Sequence, residues 1–265
     1  MRILVTGGTG VLGRDVVEAA EAAGHAVRVG SRGQRRAGIP AAREWAVMDL
    51  ASSSGIDEAV AGVDAVVHAA SDPKHSQAAD VDGTRALVEA CRRGGVGHVV
   101  YVSIVGIDRI PMRYYQHKLA AEVIVSAGVV PWSILRATQF HPFIDQLLAA
   151  AARFPLVMPL PGGFHVQSVD VGEVARRLVR CVEAGPGGRL PDFGGPGAMT
   201  LRDAARLWRE ARGVKKPVLS LPLPGRAAAA LRAGANTVPS GEHATTSWRD
   251  WLMAMVVDDP HAPAA

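Results

Sequence analysis

The sequence has only two cysteines, few aromatic residues and no long apolar run. Cys91 and Cys181 lie in amphipathic helical patterns, which predict buried, reduced thiols rather than disulfides. No apolar segment approaches the roughly 20 residues that a transmembrane helix needs, and the chain begins with a strand pattern instead of a signal peptide. We therefore expect a cytoplasmic protein without a membrane partner.

Lysine is scarce as well. Of the 29 basic residues nearly all are arginine, and the net charge is +4. The arginines are scattered as short pairs, such as Arg92-Arg93 and Arg176-Arg177, without a basic stripe or interleaved aromatic residues. This distribution does not indicate a nucleic-acid partner. The nine histidines show no HxxxH or Cys/His ligand spacing, so no metal site is predicted.

What the 265 residues do contain is a regular alternation of apolar strand patterns and helical patterns in the first half. The predicted strands cover residues 2–6, 26–30, 44–48, 64–70, 98–106 and 131–138. The predicted helices between them cover residues 11–23, 55–61, 78–94 and 113–127. Near-continuous apolar strands suit a parallel sheet covered on both faces, so the pattern predicts a doubly wound α/β fold.

The first predicted strand runs directly into a glycine-rich loop. Gly8-x-Gly10-x-x-Gly13 fits the dinucleotide fingerprint, and Gly7-x-x-Gly10-x-x-Gly13 fits an overlapping variant. A turn without Cβ atoms lets the backbone approach a pyrophosphate at a helix N-terminus. The strand before the loop and the helix after it favour this interpretation over a tight βα turn without a ligand.

The region after the second strand lacks the acidic residue that NAD sites place about 20 residues beyond the loop. No carboxylate occurs there before Glu44. Arg32 instead offers a planar fork for a 2′-phosphate, with Ser31 and either Arg35 or Arg14 assisting. The sequence therefore predicts NADP(H) rather than NAD(H), with an ordinary surface arginine as the alternative.

A second group of polar residues follows the fifth strand. Ser103 lies at its end, and Tyr114-x-x-x-Lys118 puts a phenol and an ammonium group on one face of a predicted helix. A neighbouring lysine and the positive ring of an oxidised cofactor would lower the pKa of the tyrosine from its usual value of about 10. Tyr114 would then transfer a proton, and Ser103 would bind the substrate's carbonyl oxygen. A Tyr/Lys pair on a solvated helix is the alternative.

These motifs together resemble the atypical branch of the short-chain dehydrogenase/reductases, which includes NmrA-like and isoflavone-reductase-like proteins. The resemblance is carried by TGGTGVLG at 6–13, DL at 49–50, HAAS at 68–71, YVSIVG at 101–106, YYQHK at 114–118, LRATQF at 135–140 and VQSVDVGEVA at 166–175. It implies a Rossmann fold, a bound NAD(P) and a catalytic triad of Ser103, Tyr114 and Lys118. With the two residues after the second strand, the predicted cofactor contacts are Gly7, Thr9, Gly10, Val11, Leu12, Gly13, Ser31, Arg32, Asp49, Leu50, Ala69, Ala70, Ser71, Lys118, Ala137, Thr138, Gln139 and Phe140.

Two departures from the family pattern stand out. Asp80 lies where relatives usually have asparagine, which puts the family's proton relay in doubt. Tyr115 beside Tyr114 offers a second phenol, although only Tyr114 has the four-residue spacing to Lys118.

The regular alternation of strand and helix patterns ends after residue 138. We predict a Rossmann core over 1–138, a mainly substrate-binding C-terminal lobe over 139–257 with 166–184 packing back on the core, and a disordered tail over 258–265. Within the lobe, Thr200 is a plausible helix N-cap, with Asp203 at the capping-box position. The lobe also holds residues that are either pocket lining or plain core: Phe140, His141, Phe143, Met158, Phe164 and His165.

These observations predict an NADP(H)-dependent oxidoreductase acting on a small hydrophobic carbonyl, alcohol, enone or quinone, as a monomer or homodimer. A non-catalytic, NmrA-like NADP(H) sensor is the alternative from another class. A sugar-nucleotide epimerase or dehydratase is disfavoured by the short lobe and by the missing acid after the second strand. Among the histidines, we expect His68 and His98 to be satisfied core or strand-end residues and His117 to be exposed.

Overall fold

The computed structural model describes residues 1–35, 39–40 and 43–257, which form two compact units. Unit 1 comprises Met1–Ile104, Arg113–Arg136 and Val171–Pro191. Unit 2 comprises Val105–Met112, Ala137–Asp170 and the described chain from residue 192 onward. The predicted tail, 258–265, lies outside the described residues.

The strands, in chain order, are β1 (Arg2–Thr6), β2 (Ala26–Ser31), β3 (Glu44–Val47), β4 (Ala65–His68), β5 (His98–Ile104), β6 (Trp132–Ala137), β7 (Met158–Pro161), β8 (His165–Val166), β9 (Gly188–Arg189), β10 (Phe193–Gly194), β11 (Met199–Thr200), β12 (Val218–Leu221) and β13 (Glu242–His243). The helices are α1 (Val11–Ala22), α2 (Ile56–Val60), α3 (Gly83–Gly94), α4 (Arg113–Ala127), α5 (His141–Ala152), α6 (Val171–Ala184), α7 (Leu201–Ala211), α8 (Arg226–Arg232) and α9 (Trp248–Val257). None of the helices among these residues is both long enough and apolar enough to cross a membrane.

The central sheet of unit 1 has the order β3-β2-β1-β4-β5-β6, and β9 pairs with β6. The pairs β1–β2, β2–β3, β1–β4 and β4–β5 are all parallel. One face is covered by α2, α3 and α4, whose buried side chains share a core with Leu4, Val66 and Tyr101. Helices α1 and α6 pack together, and α6 contacts β4 and β5. The predicted doubly wound parallel sheet is confirmed.

One predicted helix has a different form. The segment 78–94 is not a single α-helix, because a π-helical segment, Gln77–Asp82, precedes α3. A π-helix has i→i+5 hydrogen bonds, whereas the sequence pattern predicts the i→i+4 bonds of an α-helix. Single π-helical turns are frequent at functional sites. The segment buries Asp80, which is 1% exposed.

Unit 2 is built around α5, α7 and α9, whose buried residues form one apolar cluster with Met158 and Leu160. Short strand pairs accompany them: β7 with β12, β8 with β11 and β10 with β13. The predicted N-cap of α7 is confirmed, since the Thr200 hydroxyl accepts from the Asp203 N–H at 3.1 Å. Helix α8 begins at Arg226, directly after Gly225.

Candidate functional site

A cavity of about 420 Å³ lies at the carboxyl ends of the unit 1 strands. It opens where the strand order reverses between β1 and β4, the position at which open α/β sheets bind ligands. Its wall is formed by the glycine loop, the ends of β2 and β3 and the segment after β4. The lining residues are Thr6, Gly7, Thr9, Gly10, Gly30, Ser31, Arg32, Gly33, Gln34, Trp45, Met48, Asp49, Leu50, Ala51, Ala69, Ala70, Ser71, Asp72 and Ala79.

The glycine loop is packed too closely for side chains. A Cβ at Gly7 would lie 2.7 Å from the Ala70 Cα, and a Cβ at Gly13 would lie 2.1 Å from the Gly7 carbonyl oxygen. That oxygen accepts a hydrogen bond from the Gly10 N–H at 2.8 Å. No side chain caps the N-terminus of α1, so its first N–H groups remain available for an anion. The loop therefore fits the pyrophosphate of a dinucleotide.

Most of the predicted cofactor residues lie in the wall of this cavity: Gly7, Thr9, Gly10, Ser31, Arg32, Asp49, Leu50, Ala69, Ala70 and Ser71. Val11, Leu12 and Gly13 instead begin α1. The sequence analysis did not identify Gln34, Trp45 or Asp72 as lining residues. They carry no motif of their own, and only the pairing of β3 beside β2 and the path of the chain after β4 bring them to the cavity.

The predicted 2′-phosphate residues form one side of the cavity. The Ser31 Oγ lies 3.3 Å from the Thr9 Oγ1. The Arg32 guanidinium is largely exposed, with Nη1 3.7 Å from the Asp72 Oδ2. Arg35 bonds the carbonyl oxygens of Ile39 and Pro40, so its guanidinium is already used within its own loop.

The predicted contacts Ala137, Thr138, Gln139 and Phe140 belong to unit 2. Ala137 ends β6, and the other three follow it. The Thr138 N–H donates to the Phe193 carbonyl at 3.0 Å, and the Gln139 carbonyl accepts from the Val169 N–H at 2.9 Å. Asn236 Nδ2 donates to the Gln139 Oε1 at 3.2 Å. These bonds hold the turn after β6 rigidly within unit 2.

The candidate pocket residues of unit 2 are partly core. Met158 and His141 are both 0% exposed. His141 Nδ1 lies 2.8 Å from the Ser168 Oγ, and its ring packs beside the stacked indoles of Trp248 and Trp251, with its centre 5.6 Å from each. The structure therefore assigns these two to packing, which removes part of the basis for an apolar substrate pocket.

Tyr114 connects the predicted triad to the cavity. Its hydroxyl lies 2.8 Å from the Oγ of Ser71, a residue of the cavity wall. Burial raises the pKa of Tyr114 to about 12, although the hydrogen bond with Ser71 acts in the opposite direction. Desolvation of the phenolate sets this direction, and the charge of Asp80 acts in the same sense. The lowering expected with a bound oxidised cofactor stays a prediction.

Lys118 is fully enclosed on the inner face of α4. Its Nζ donates to the Val102 carbonyl at 2.9 Å, lies 4.2 Å from the centre of the Tyr101 ring and lies 3.8 Å from the Asp80 Oδ1. Burial lowers the pKa of Lys118 to about 8, while Asp80 and Glu122 raise it. The ammonium group thus has a carboxylate partner on the π-helical segment in addition to its neighbours on β5.

Asp80 occupies the centre of this network. Its Oδ1 accepts from the Ser71 Oγ at 2.6 Å, and its Oδ2 accepts from the Asp72 N–H at 3.2 Å. A continuous set of polar contacts therefore runs from Tyr114 through Ser71 to Asp80 and Lys118. The aspartate that departs from the family pattern is part of this connection and does not interrupt it.

Ser103, the third triad residue, is 2% exposed at the end of β5. Its Oγ has no hydrogen-bond partner within the described chain. Buried hydroxyl groups nearly always have a partner, so this one is available to an oxygen atom from outside the chain. Tyr115, the competing phenol, also lies on α4, and its ring centre is 6.0 Å from that of Tyr114.

The histidines divide as predicted, with one exception. His68 bonds the hydroxyls of Thr6 at 2.8 Å and Thr84 at 3.0 Å, and burial lowers its pKa to about 3. His98 bonds the Ser133 hydroxyl at 2.9 Å. His117 is half-buried instead of exposed, because it bonds Ser76. Among the described residues, no three His, Cys, Asp or Glu side chains are grouped as metal ligands.

A protein-family model described as NAD(P)H-binding matches residues 7–183, which contain the glycine loop, the cavity and the triad. The chain belongs to this family. The predicted resemblance to the atypical short-chain dehydrogenase/reductases is confirmed, and with it an NAD(P)-binding Rossmann protein of an oxidoreductase family.

The relatives that match this family member are distant. The chain is 28% identical over 229 residues to an uncharacterized protein of Mycobacterium tuberculosis, covering 83% of this chain but only 25% of that protein. It is 27% identical to a 4-hydroxy-2-methyl-3-oxo-4-farnesyl-3,4-dihydroquinoline-1-oxide ketoreductase of Stigmatella aurantiaca, covering 87% of this chain and 79% of that protein. Among solved structures, an NADPH-dependent quinone oxidoreductase of Escherichia coli with bound NADPH superposes with a TM-score of 0.80 at 20% identity, covering 96% and 99% of the two chains.

Proposed function

We propose that the chain is an NADP(H)-dependent oxidoreductase that acts on a small carbonyl compound, alcohol, enone or quinone. The observation that carries the proposal is the 2.8 Å contact between the hydroxyl of Tyr114 and Ser71 in the wall of the dinucleotide cavity. It joins a proton-transfer group to a cofactor site. The reductase activities named for the Stigmatella and Escherichia relatives support the same reaction class.

Separate groups of residues would bind the cofactor and act on the substrate. The glycine loop and the first turn of α1 would hold the pyrophosphate, and Arg32 with Ser31 would hold the 2′-phosphate. Bound NADPH would supply the hydride. The unpartnered hydroxyl of Ser103 would donate to the substrate's carbonyl oxygen. Tyr114 would give its proton to the same oxygen, and Ser71 would link the phenol to Asp80.

The proposal is tested first with purified protein, NADPH and a panel of carbonyls, enones and quinones. We expect NADPH oxidation with at least one member of the panel and slower oxidation with NADH. Tight NADPH binding without oxidation by any compound would contradict an enzymatic role and would favour the sensor interpretation.

The choice of cofactor is tested with Arg32→Ala. A charge-assisted bond to phosphate is worth about 1.5–3 kcal/mol, and the exposure of Arg32 places the effect at the lower end of that range. We expect about a tenfold loss of NADPH affinity and an unchanged NADH affinity in binding titrations. Arg85→Ala, which removes another exposed arginine from unit 1, should leave both affinities unchanged. Equal affinity of the unsubstituted protein for NADPH and NADH would refute the preference.

The pKa of Tyr114, raised to about 12, sets a pH dependence. Reduction needs the protonated phenol, which is fully present at neutral pH, whereas alcohol oxidation needs the phenolate as a base. We therefore expect kcat/KM for oxidation to rise about tenfold per pH unit between about pH 6 and pH 8. Up to about pH 7 Lys118 keeps its proton, because its pKa is about 8, and kcat/KM for reduction should stay nearly constant there. Oxidation by Tyr114→Phe with the rate and pH profile of the unsubstituted protein would exclude Tyr114 as the base.

A further inference from the structure

A second cavity, of about 450 Å³, lies beside Tyr114 at the start of α4. It is formed by unit 1 alone and is lined by Pro73, Lys74, His75, Ser76, Gln77, Ala78, Arg113, Tyr114 and His117. Tyr114, the proposed proton donor, therefore lies next to both cavities. Its hydroxyl bonds Ser71 of the dinucleotide cavity, and its side chain borders this second cavity. A substrate whose carbonyl group reaches Tyr114 has this space available for the rest of the molecule.

The second cavity has charges of one sign. Its wall holds the cations Lys74 and Arg113 and two imidazole rings, and it holds no carboxylate. Within the described chain, neither Lys74 nor Arg113 lies within ion-pair distance of an acidic group. The arginines on the neighbouring helix α3 behave differently, since Arg92 pairs with Glu89 at 2.7 Å and Arg93 with Asp57 at 2.5 Å. The two cations in the wall of this cavity therefore have no carboxylate beside them to neutralise their charge.

The two imidazole rings are held in place by neighbours. Ser76 is 7% exposed, and its Oγ lies 2.8 Å from the Nδ1 of His117. His75 Nδ1 lies 3.2 Å from the Oδ2 of Asp72, which also faces Arg32. Arg113 is the first residue of α4, where the helix dipole adds positive potential. The wall thus presents hydrogen-bond donors and positive charge, with the His117 ring held by Ser76 and the side chains of Lys74 and Arg113 exposed to solvent.

We propose that this cavity binds an anionic group of the substrate, a carboxylate or a phosphate, through Lys74 and Arg113 while the carbonyl group lies at Tyr114. The inference rests on the proposed oxidoreductase function and narrows its substrate class. It replaces the expected purely hydrophobic substrate with a carbonyl compound that carries a negatively charged arm. Arginine forms a bidentate contact with either anion, and lysine adds a point charge.

The test compares three aldehydes that differ in charge: 4-formylbenzoate, 4-formylphenyl phosphate and the neutral methyl 4-formylbenzoate. Each is titrated calorimetrically into protein saturated with NADP⁺, so that binding is measured without turnover. We expect both anions to bind at least about tenfold more tightly than the ester at low salt and the preference to fall as salt is added. The tighter of the two anions identifies the charged group that the site prefers.

The variant Lys74→Ala/Arg113→Ala should bind all three aldehydes with similar affinity. Its NADPH affinity, which should be unchanged, reports that the fold is intact. The control Arg202→Ala/Lys215→Ala removes the same residue types from exposed positions of unit 2 and should keep the preference. An ester that binds as tightly as the anions, undetectable binding of both anions, or a preference that survives Lys74→Ala/Arg113→Ala would overturn the inference even if NADPH oxidation is found. Anion preference without any NADPH oxidation would uphold this site and defeat the oxidoreductase proposal.

Discussion

Tyr114→Phe is expected to lower kcat/KM for carbonyl reduction by about 10²- to 10⁴-fold, the usual contribution of a positioned general acid. The phenylalanine ring fills the same space, so only the hydroxyl and its bond with Ser71 are lost. Ser71 still donates to Asp80 at 2.6 Å, which means that no buried donor is left without a partner. We therefore expect a loss of stability of only about 1 kcal/mol.

Affinity for NADPH is the second measurement on this variant. Tyr114 does not line the dinucleotide cavity, so the dissociation constant should change by less than about twofold. Tyr115→Phe is the matched control, since it removes a phenol from the next position of α4. It should retain full turnover. Turnover of Tyr114→Phe within about tenfold of the unsubstituted protein would exclude Tyr114 as the proton donor.

Gly13→Ala should abolish tight cofactor binding. The added Cβ would lie 2.1 Å from the Gly7 carbonyl oxygen and 2.8 Å from the Gly8 Cα. Both are backbone atoms of the loop, so no rotamer change relieves the clash and the loop must move away from α1. Overpacking of this kind costs about 1–3 kcal/mol of stability. Because backbone bonds to a charged group are worth about 1.5–3 kcal/mol each, losing two of them should weaken NADPH binding by about 100-fold or more.

The control for this substitution is Gly197→Ala. A Cβ at Gly197 meets nothing within 4 Å, and its backbone is not in the left-handed region. Its melting temperature and NADPH affinity should match those of the unsubstituted protein. If Gly13→Ala bound NADPH normally, the close approach of α1 to the loop would not be needed for the cofactor site.

The sequence predicted the strands of unit 1 well, because parallel strands covered on both faces need nearly continuous apolar runs. β1 and α4 begin and end at the predicted residues. The π-helical segment was not predicted, since one extra residue per turn leaves the apolar spacing almost unchanged over a single turn. Burial of Asp80 therefore became apparent only in the structure.

The sequence predicted the glycine loop of the candidate site, but not the features that depend on packing between distant segments. Gly7 and Gly13 belong to a recognisable motif because the close approach of backbone atoms leaves no room for a Cβ at either position. The pKa of Tyr114 depends on how much of the ring is buried, which spacing along one helix does not reveal. Lys74 and Arg113 are 39 positions apart, and only the packing of α4 beside the π-helical segment brings them to one cavity.

The short segment from Ser71 to Ala79 contributes residues to the walls of both cavities. Ser71, Asp72 and Ala79 line the dinucleotide cavity, while Lys74 and His75 line the second cavity. Because His75 and Arg32 share the carboxylate of Asp72, a substitution made here for a new substrate also disturbs the residues beside the cofactor. Under the two proposals above, substitutions in this segment would change substrate preference and nucleotide preference together, so directed libraries should vary this segment jointly with Arg32.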